Sequence, residues 1–361
     1  MSQKVVCYDQ LDDILSQSQL NHVNLKIDVS NNAIGDEGTE KLSFVLKNST
    51  NLETLSLNLG VNNIGNDGLK FLSNAIENCI NLKSLNLQLY SNLISAQGIL
   101  NLANALDRCK DLSILNLNLD KNQIGDNGLL YLASTIQNRF ELASLTIQVL
   151  KNSITEKGSQ GFFTAISTCL NLKNLEINFN KNQIEAIGAY NLGIGLSKCL
   201  NLINLNIKLY SNNIGVKGAS DLGSGLSQCI NLRDLTLYLF QNNIKDQGTS
   251  NIASSLANLN QLQNLVLNLD VNKIHKNGVS NLGSFLKNYK SLQNLELQIN
   301  VNNISNRGIL NLINQLSKCQ KLIIFDLSFE YFKKQKNINL YFEYKLLFFY
   351  LNFIIQQRKR N

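Results

Sequence analysis

The chain of 361 residues has no proline and no tryptophan, one methionine, and only 16% charged residues. Without proline, no residue is forced to interrupt a helix or a sheet ladder by lacking its N–H. The two histidines, His22 and His275, stand far from any nucleophile or set of metal ligands in the sequence, so acid–base chemistry through imidazole has no support. No Walker-type lysine motif, kinase catalytic loop or nucleophile elbow occurs either. The first ten residues, MSQKVVCYDQ, hold no apolar run of the length a secretory signal needs, and the expected compartment is therefore cytoplasmic. The abundance of Asn beside missing Pro and Trp reads as base composition of the coding sequence, not as function.

What is present is a beat of thirty residues. Asn51 to Ile80 reads NLETLSLNLGVNNIGNDGLKFLSNAIENCI, and residues 22–329 repeat it with substitutions. Leucine recurs at thirty-residue steps from Leu52 to Leu322, asparagine from Asn32 to Asn302, isoleucine from Ile34 to Ile304 and glycine from Gly38 to Gly308, with no insertion or deletion. Leu52, Leu55, Leu57 and Leu59 show strand-like alternation. Leu69, Leu72, Ala75, Ile76 and Cys79 show helical spacing. Strand, turn and helix at a fixed period predict a solenoid. Strands joined through helices run parallel, so the expected architecture is α/β: a curved parallel sheet lined outside by helices. The recurring Asn is expected to satisfy backbone groups of the turn and to stack into a ladder. The recurring Gly is expected where a side chain would clash or φ is positive.

The unit resembles the leucine-rich repeat, and its N-x-I-x-x-x-G-x-x-x-L-x-x-x-L half resembles the ribonuclease-inhibitor-like subfamily. That resemblance covers about nine tenths of the chain and implies a horseshoe of ten to eleven repeats with the sheet on the concave face. Two extra residues between Leu57 and Asn62 predict a strand about two residues longer than is usual in such repeats. The stretch NAIGDEGTEKLSFVL at residues 32–46 is similar to repeats of the Ran GTPase-activating protein, which implies an alternative role as a regulator of a small GTPase. That family usually carries an acidic tail, and here the tail is basic. A ligand domain of the nucleotide-binding innate-sensor type is a third reading, but the nucleotide-binding module of those proteins is missing from this chain.

Cysteine chemistry is excluded by position. Cys79, Cys109, Cys169, Cys199, Cys229 and Cys319 share one slot, seven residues past a core leucine. Neighbouring helices lie about 8–10 Å apart, whereas a disulfide needs Cα atoms within about 7 Å. One Cys per helix cannot assemble a four-ligand zinc site, so these residues read as small buried hydrophobes. Gly193-Ile194-Gly195 and Gly223-Ser224-Gly225 mimic part of a phosphate loop but fall mid-helix, where close helix packing explains them. The chain is read as a non-enzyme with no catalytic residues, no cofactor and no metal.

Function is then left to the surface. Residues alternating with the inward leucines are mostly Asn, Gln, Ser and Thr, with scattered charges at Asp120, Glu176, Asp270 and Glu296. Aromatic residues join them at Tyr90, Tyr210, Tyr238 and Phe240. Lys208, Tyr210, Arg233, Tyr238 and Phe240 fall on two adjacent repeats, and aromatics with Arg are the usual anchors of protein interfaces. With Tyr90 they form the expected protein-binding set on the concave face of a scaffold.

The two ends depart from the pattern. Residues 1–21 are expected to supply an N-terminal capping helix over residues 8–20, next to a first strand from Val23 to Val29 in which His22 replaces the first leucine. Residues 330–361 are expected to be a degenerate last repeat or a C-terminal capping helix with a basic end. The apolar stretch at 338–355 raises a membrane anchor, against which stand Glu343 and Lys345, each costing about 2.5–3.5 kcal/mol at a bilayer centre. The formal net charge is +7. That terminal segment holds seven Lys/Arg and two Glu, so it supplies most of the charge, and the remainder carries both signs mixed. No basic groove follows, and no nucleic-acid partner is expected.

Overall fold

A computed structural model describes residues 5–16, 22–137 and 139–329. The expected C-terminal cap or anchor at 330–361, and parts of the N-terminal segment, lie outside the described residues. The chain divides into two compact units, Met1–Gln183 and Ile184–Asn361.

In the first unit, strands and helices alternate: β1 (Val6–Tyr8), α1 (Leu11–Leu15), β2 (Asn24–Asp28), α2 (Gly35–Leu46), β3 (Thr54–Asn58), α3 (Asn66–Ile76), β4 (Ser84–Gln88), α4 (Ala96–Leu106), β5 (Ile114–Asn118), α5 (Gly125–Ile136), β6 (Ser144–Gln148), α6 (Glu156–Ile166) and β7 (Asn174–Asn178). The second unit continues with α7 (Glu185–Leu196), β8 (Asn204–Lys208), α8 (Gly215–Leu226), β9 (Asp234–Tyr238), α9 (Lys245–Leu256), β10 (Asn264–Asn268), α10 (Lys276–Leu286), β11 (Asn294–Gln298), α11 (Asn306–Leu316) and β12 (Ile324–Ser328). Within each unit, strands pair in parallel with the next in sequence, and from β2 onward the register is the repeat itself: Leu55 faces Leu85, and Leu235 faces Leu265.

Alternation decides which residues form the core. Leu55, Leu57 and Leu59 point under the sheet and are buried, as are Leu69, Leu72, Ala75, Ile76 and Cys79 on the facing stripe of α3. Phe162, Phe163 and Phe179 fill the equivalent space near β7, with ring centroids 5.1–6.0 Å apart. The ladder does continue past the named strand: Leu59 N–H bonds to Gln88 O at 2.8 Å, and Val61 N–H to Tyr90 O at 2.9 Å.

From Asn62 to Asn302, each recurring Asn bonds to the turn of the repeat before it. Asn92 Oδ1 accepts the N–H groups of Asn62 and Ile64 at 3.1 and 2.9 Å, while its Nδ2 donates to Leu59 O at 3.0 Å. The same pattern recurs in the second unit, where Asn242 accepts from Asn212 and Ile214 and donates to Leu209 O. The ladder therefore runs from side chain to neighbouring backbone, satisfying donors that the turn would otherwise bury unpaired.

The recurring Gly is explained by crowding, not by φ. A Cβ on Gly68 would lie 2.8 Å from Ile64 Cγ2. The left-handed residue comes earlier, one before each Asn, and it is never glycine: Val61 has φ 58°, Ser91 53° and Lys151 52°. A left-handed non-glycine residue costs about 1–2 kcal/mol, and the flanking ladder bonds hold it there.

A second turn feature is set by one residue of the preceding repeat. Asp36, Asn66, Asp126 and Asp246, in the first turns of their helices, accept the N–H of Gly65, Ser95, Thr155 and His275 at 2.6–2.9 Å. Those four acceptances hold the N–H of the residue that starts the next helix, and that N-cap residue is extended. Where Ala96, Ala186 or Val216 holds that slot, the residue 29 further on (Gly125, Gly215 or Lys245) turns to φ 57°, 64° or 58°. Its N–H then bonds to the main-chain oxygen of Asn152, Asn242 or Asn272.

The N-terminal segment differs from expectation. Among its described residues it carries a strand, β1, which pairs with β2 (Val6 with Leu25), and a helix over Leu11–Leu15. His22 Nε2 lies 3.4 Å from Tyr8 Oη, so the residue that broke the leucine pattern meets the capping strand.

Candidate binding face

The strand residues that alternate with the core leucines form a face without helices. On β3 these are Thr54, Ser56 and Asn58, all half-buried. Four of the acids on this face are engaged in its own hydrogen bonds. Asp28 accepts from Ser30 and Asn58, Asp234 from Asn264, Asp270 from Asn300, and Glu296 from Gln298. Burial raises the Asp28 pKa, but bonds from Ser30 and Asn58 outweigh it and hold the carboxyl below its ordinary value.

In the second unit the aromatic residues do meet. Tyr210 and Phe240 pack with ring centroids 4.6 Å apart at 56°. Lys208 and Tyr238 are direct partners across the β8–β9 pair, one alternation back from those rings. Arg233 does not join them. It precedes β9, five residues or about 17 Å along the strand from Tyr238, and is out of phase with the open-face positions. Tyr90 belongs to the first unit, where its ring covers the Cα of Gly60 so closely that any Cβ there would collide with it.

Other candidate chemistry resolves into packing. The six repeat cysteines are buried, and burial pushes the thiols of Cys79 and Cys229 up to about 12. Cys109 Sγ points at Cys79 O, 3.6 Å away, as a weak donor. Helices α7 and α8 touch backbone to backbone: a Cβ on Gly193 would lie 2.5 Å from Asp221 O, and one on Gly225 would collide with Gly193 itself. The two glycine pairs thus serve helix packing.

One residue was missed by sequence reasoning. Arg139 occupies the cysteine slot of its repeat with a side chain only 11% exposed. Its guanidinium donates to Thr135 O at 2.5 Å, Cys109 O at 2.8 Å and Leu106 O at 2.5 Å, at the carboxyl ends of α5 and α4. Burial lowers its pKa, while the carbonyls supply the negative ends of two helix dipoles. The signal was available as a charged residue at a buried place in the repeat. Beside it lies a cleft of about 330 Å³ lined by Asp107, Lys110, Phe140 and Glu141. Among the described residues no helix is long and apolar enough to cross a membrane.

Residues 22–43, 48–73 and 112–133 match the family model described as Leucine Rich repeat. Each unit has the fold of a leucine-rich-repeat solenoid. Among solved structures, the chain is similar to an internalin from Listeria monocytogenes at 19% identity, over 90% of each chain, with a TM-score of 0.41. It is also similar to the tropomodulin C-terminal domain of Caenorhabditis elegans at 16% identity, over 53% of this chain and 93% of that one, with a TM-score of 0.33. No curated protein matches the sequence.

Proposed function

We propose that this leucine-rich-repeat chain is a non-enzymatic scaffold that holds a protein partner against the open face of its strands. The observation that carries the reading is the Tyr210–Phe240 pair, with Tyr238 and Lys208 beside it, on a face whose other residues are mostly amides and hydroxyls with scattered acids. Rigid aromatic rings lose little side-chain entropy on binding, and they dominate the energetics of interfaces in which they are buried. Arg233, at the far end of β9, and Tyr90, in the other unit, are separate contacts in this reading.

The test is affinity capture with the full chain, followed by titration of the captured partner against Tyr210→Ala and Phe240→Ala. Loss of about 2 kcal/mol of binding from either substitution is expected of an anchor. Unchanged affinity would remove the aromatic patch from the interface. The GTPase-regulating alternative draws on repeat similarity alone, and a GTP-turnover assay with small GTPases decides it.

A further inference from the structure

The residue before each ladder Asn varies along the chain, passing through Asn, Val, Ser, Lys and Gln. Lys121, Lys151 and Lys181 fill this slot in three successive repeats, and no other slot between residues 22 and 329 carries like charge in three repeats running. All three are exposed. All are left-handed, with φ 56°, 52° and 54°. Their backbones belong to the ladder: Lys121 N–H bonds to Leu150 O at 2.7 Å, and Lys151 N–H to Asn180 O at 3.1 Å. Adjacent strands lie about 4.8 Å apart, so three ammonium groups stem from points spanning about 10 Å. Like charges at that spacing repel. Among the described residues, neither Lys121 nor Lys151 has a carboxylate within ion-pair distance.

The strand residues leading to these lysines add hydrogen-bond donors. Asn118 and Asn178 use their side-chain oxygens to accept the N–H of Asp120 and Asn180 at 3.1 and 3.2 Å. What each amide then offers a ligand is its NH2 group. Gln148 stands between them on β6. The Asp126 carboxylate nearby is occupied by the N–H and hydroxyl of Thr155. The open face of the same strands also carries Asp120, whose carboxylate accepts the N–H of Leu150 at 2.7 Å, and Glu176. Three lysines against these two acids leave the carboxyl ends of β5, β6 and β7 with an excess of positive charge beside the amide donors.

We propose that this edge of the first unit is a docking surface for an acidic peptide segment, whose carboxylates meet Lys121, Lys151 and Lys181. Charge complementarity carries the assignment. Carboxylates accept hydrogen bonds without donating, which suits a surface of ammonium and NH2 groups. A peptide is favoured over nucleic acid because the basic surface is one short row, with no groove to track a phosphate backbone. The inference rests on the scaffold reading but not on the aromatic patch, which lies in the other unit.

The experiment titrates the full chain with a short labelled peptide of alternating Glu and Gly, and with its Gln counterpart, at low and raised salt. The Glu peptide is expected to bind, with affinity falling as salt rises, and the Gln peptide not to bind. Combining Lys121→Asn, Lys151→Asn and Lys181→Asn should weaken binding roughly tenfold or more. Asn tolerates the left-handed conformation, so the melting temperature of that variant should not fall. Tyr210→Ala with Phe240→Ala should leave the Glu peptide bound as before, separating failure of this surface from failure of the aromatic patch. Absent binding, or equal affinity in the triple variant, would overturn the proposal. So would binding of heparin, single-stranded DNA or phosphatidylserine vesicles by a chain that ignores the Glu peptide.

Discussion

Leu57 and Asn58 are neighbours on β3, one beneath the sheet and one above it, and the chain treats their two places differently. From β2 to β12 the first is always Leu or Ile. The second passes from Asp28 through Asn58, Gln88 and Asn118 to Lys208, Tyr238 and Ser328. Both places share the same backbone and the same register. The difference lies in what each side chain touches. Below the sheet, a change of one methylene is felt by close-packed neighbours. Above it, water takes whatever a side chain does not fill. Specificity for a partner can therefore be written on the open face without disturbing the stack, and the aromatic and lysine-rich places of the two units are such differences.

The sharpest way to break the constant layer is at the Asn ladder. Asn242→Ala should cost on the order of 3–5 kcal/mol, because it leaves the N–H groups of Asn212 and Ile214 and the carbonyl of Leu209 buried without partners. Urea unfolding of the variant reads this directly. A loss below about 1 kcal/mol would mean that the turn satisfies its own donors and that the ladder is incidental.

Next in size is a place where the constant layer is already broken. Arg139 stands where six other repeats carry cysteine, and three helix-end carbonyls depend on it. Arg139→Ala should destabilise the chain by about 2–3 kcal/mol, since those carbonyls lose a charged donor. Arg139→Cys should cost less, because it restores the residue that packs in this slot elsewhere. If both variants unfold at the same denaturant concentration, the slot is a matter of charge alone and repeat packing contributes nothing there.

The fold was legible because one rule was written many times over: alternation fixed the strands, helical spacing fixed the stripe from Leu69 to Cys79, and the unbroken period fixed the register. The turns were less legible. Sequence reasoning left the recurring Gly either to crowding or to positive φ; the structure selects crowding at Gly68 and puts positive φ at Val61, where inter-repeat ladder bonds override side-chain preference. In seven of the turns the form goes with a residue 29 places earlier, a dependence no local window contains, whereas Ser305 is extended although Lys276 stands in that slot. Strand β1 was missed because three residues carry too little pattern to be seen. For the candidate site, the pairing of Tyr210 with Phe240 was legible from their shared slot. The separation of Arg233 required its phase along the strand.

The smallest effect is expected on the open face itself, and it tests the comparison from the other side. Gln148 follows Ile147 on β6, is half-buried, and makes no side-chain hydrogen bond among the described residues. Gln148→Ala removes one amide from the water-facing layer and creates no cavity and no unpaired buried group. Stability should change by no more than about 0.5 kcal/mol in urea unfolding. The adjacent Ile147→Ala would instead open a void in the core at about 2–5 kcal/mol. If Gln148→Ala cost as much as a core truncation, the amides of this face would be part of what holds the strands together. They would then not be free to vary with a partner, and neither the aromatic patch nor the lysine row could be read as a difference made for binding.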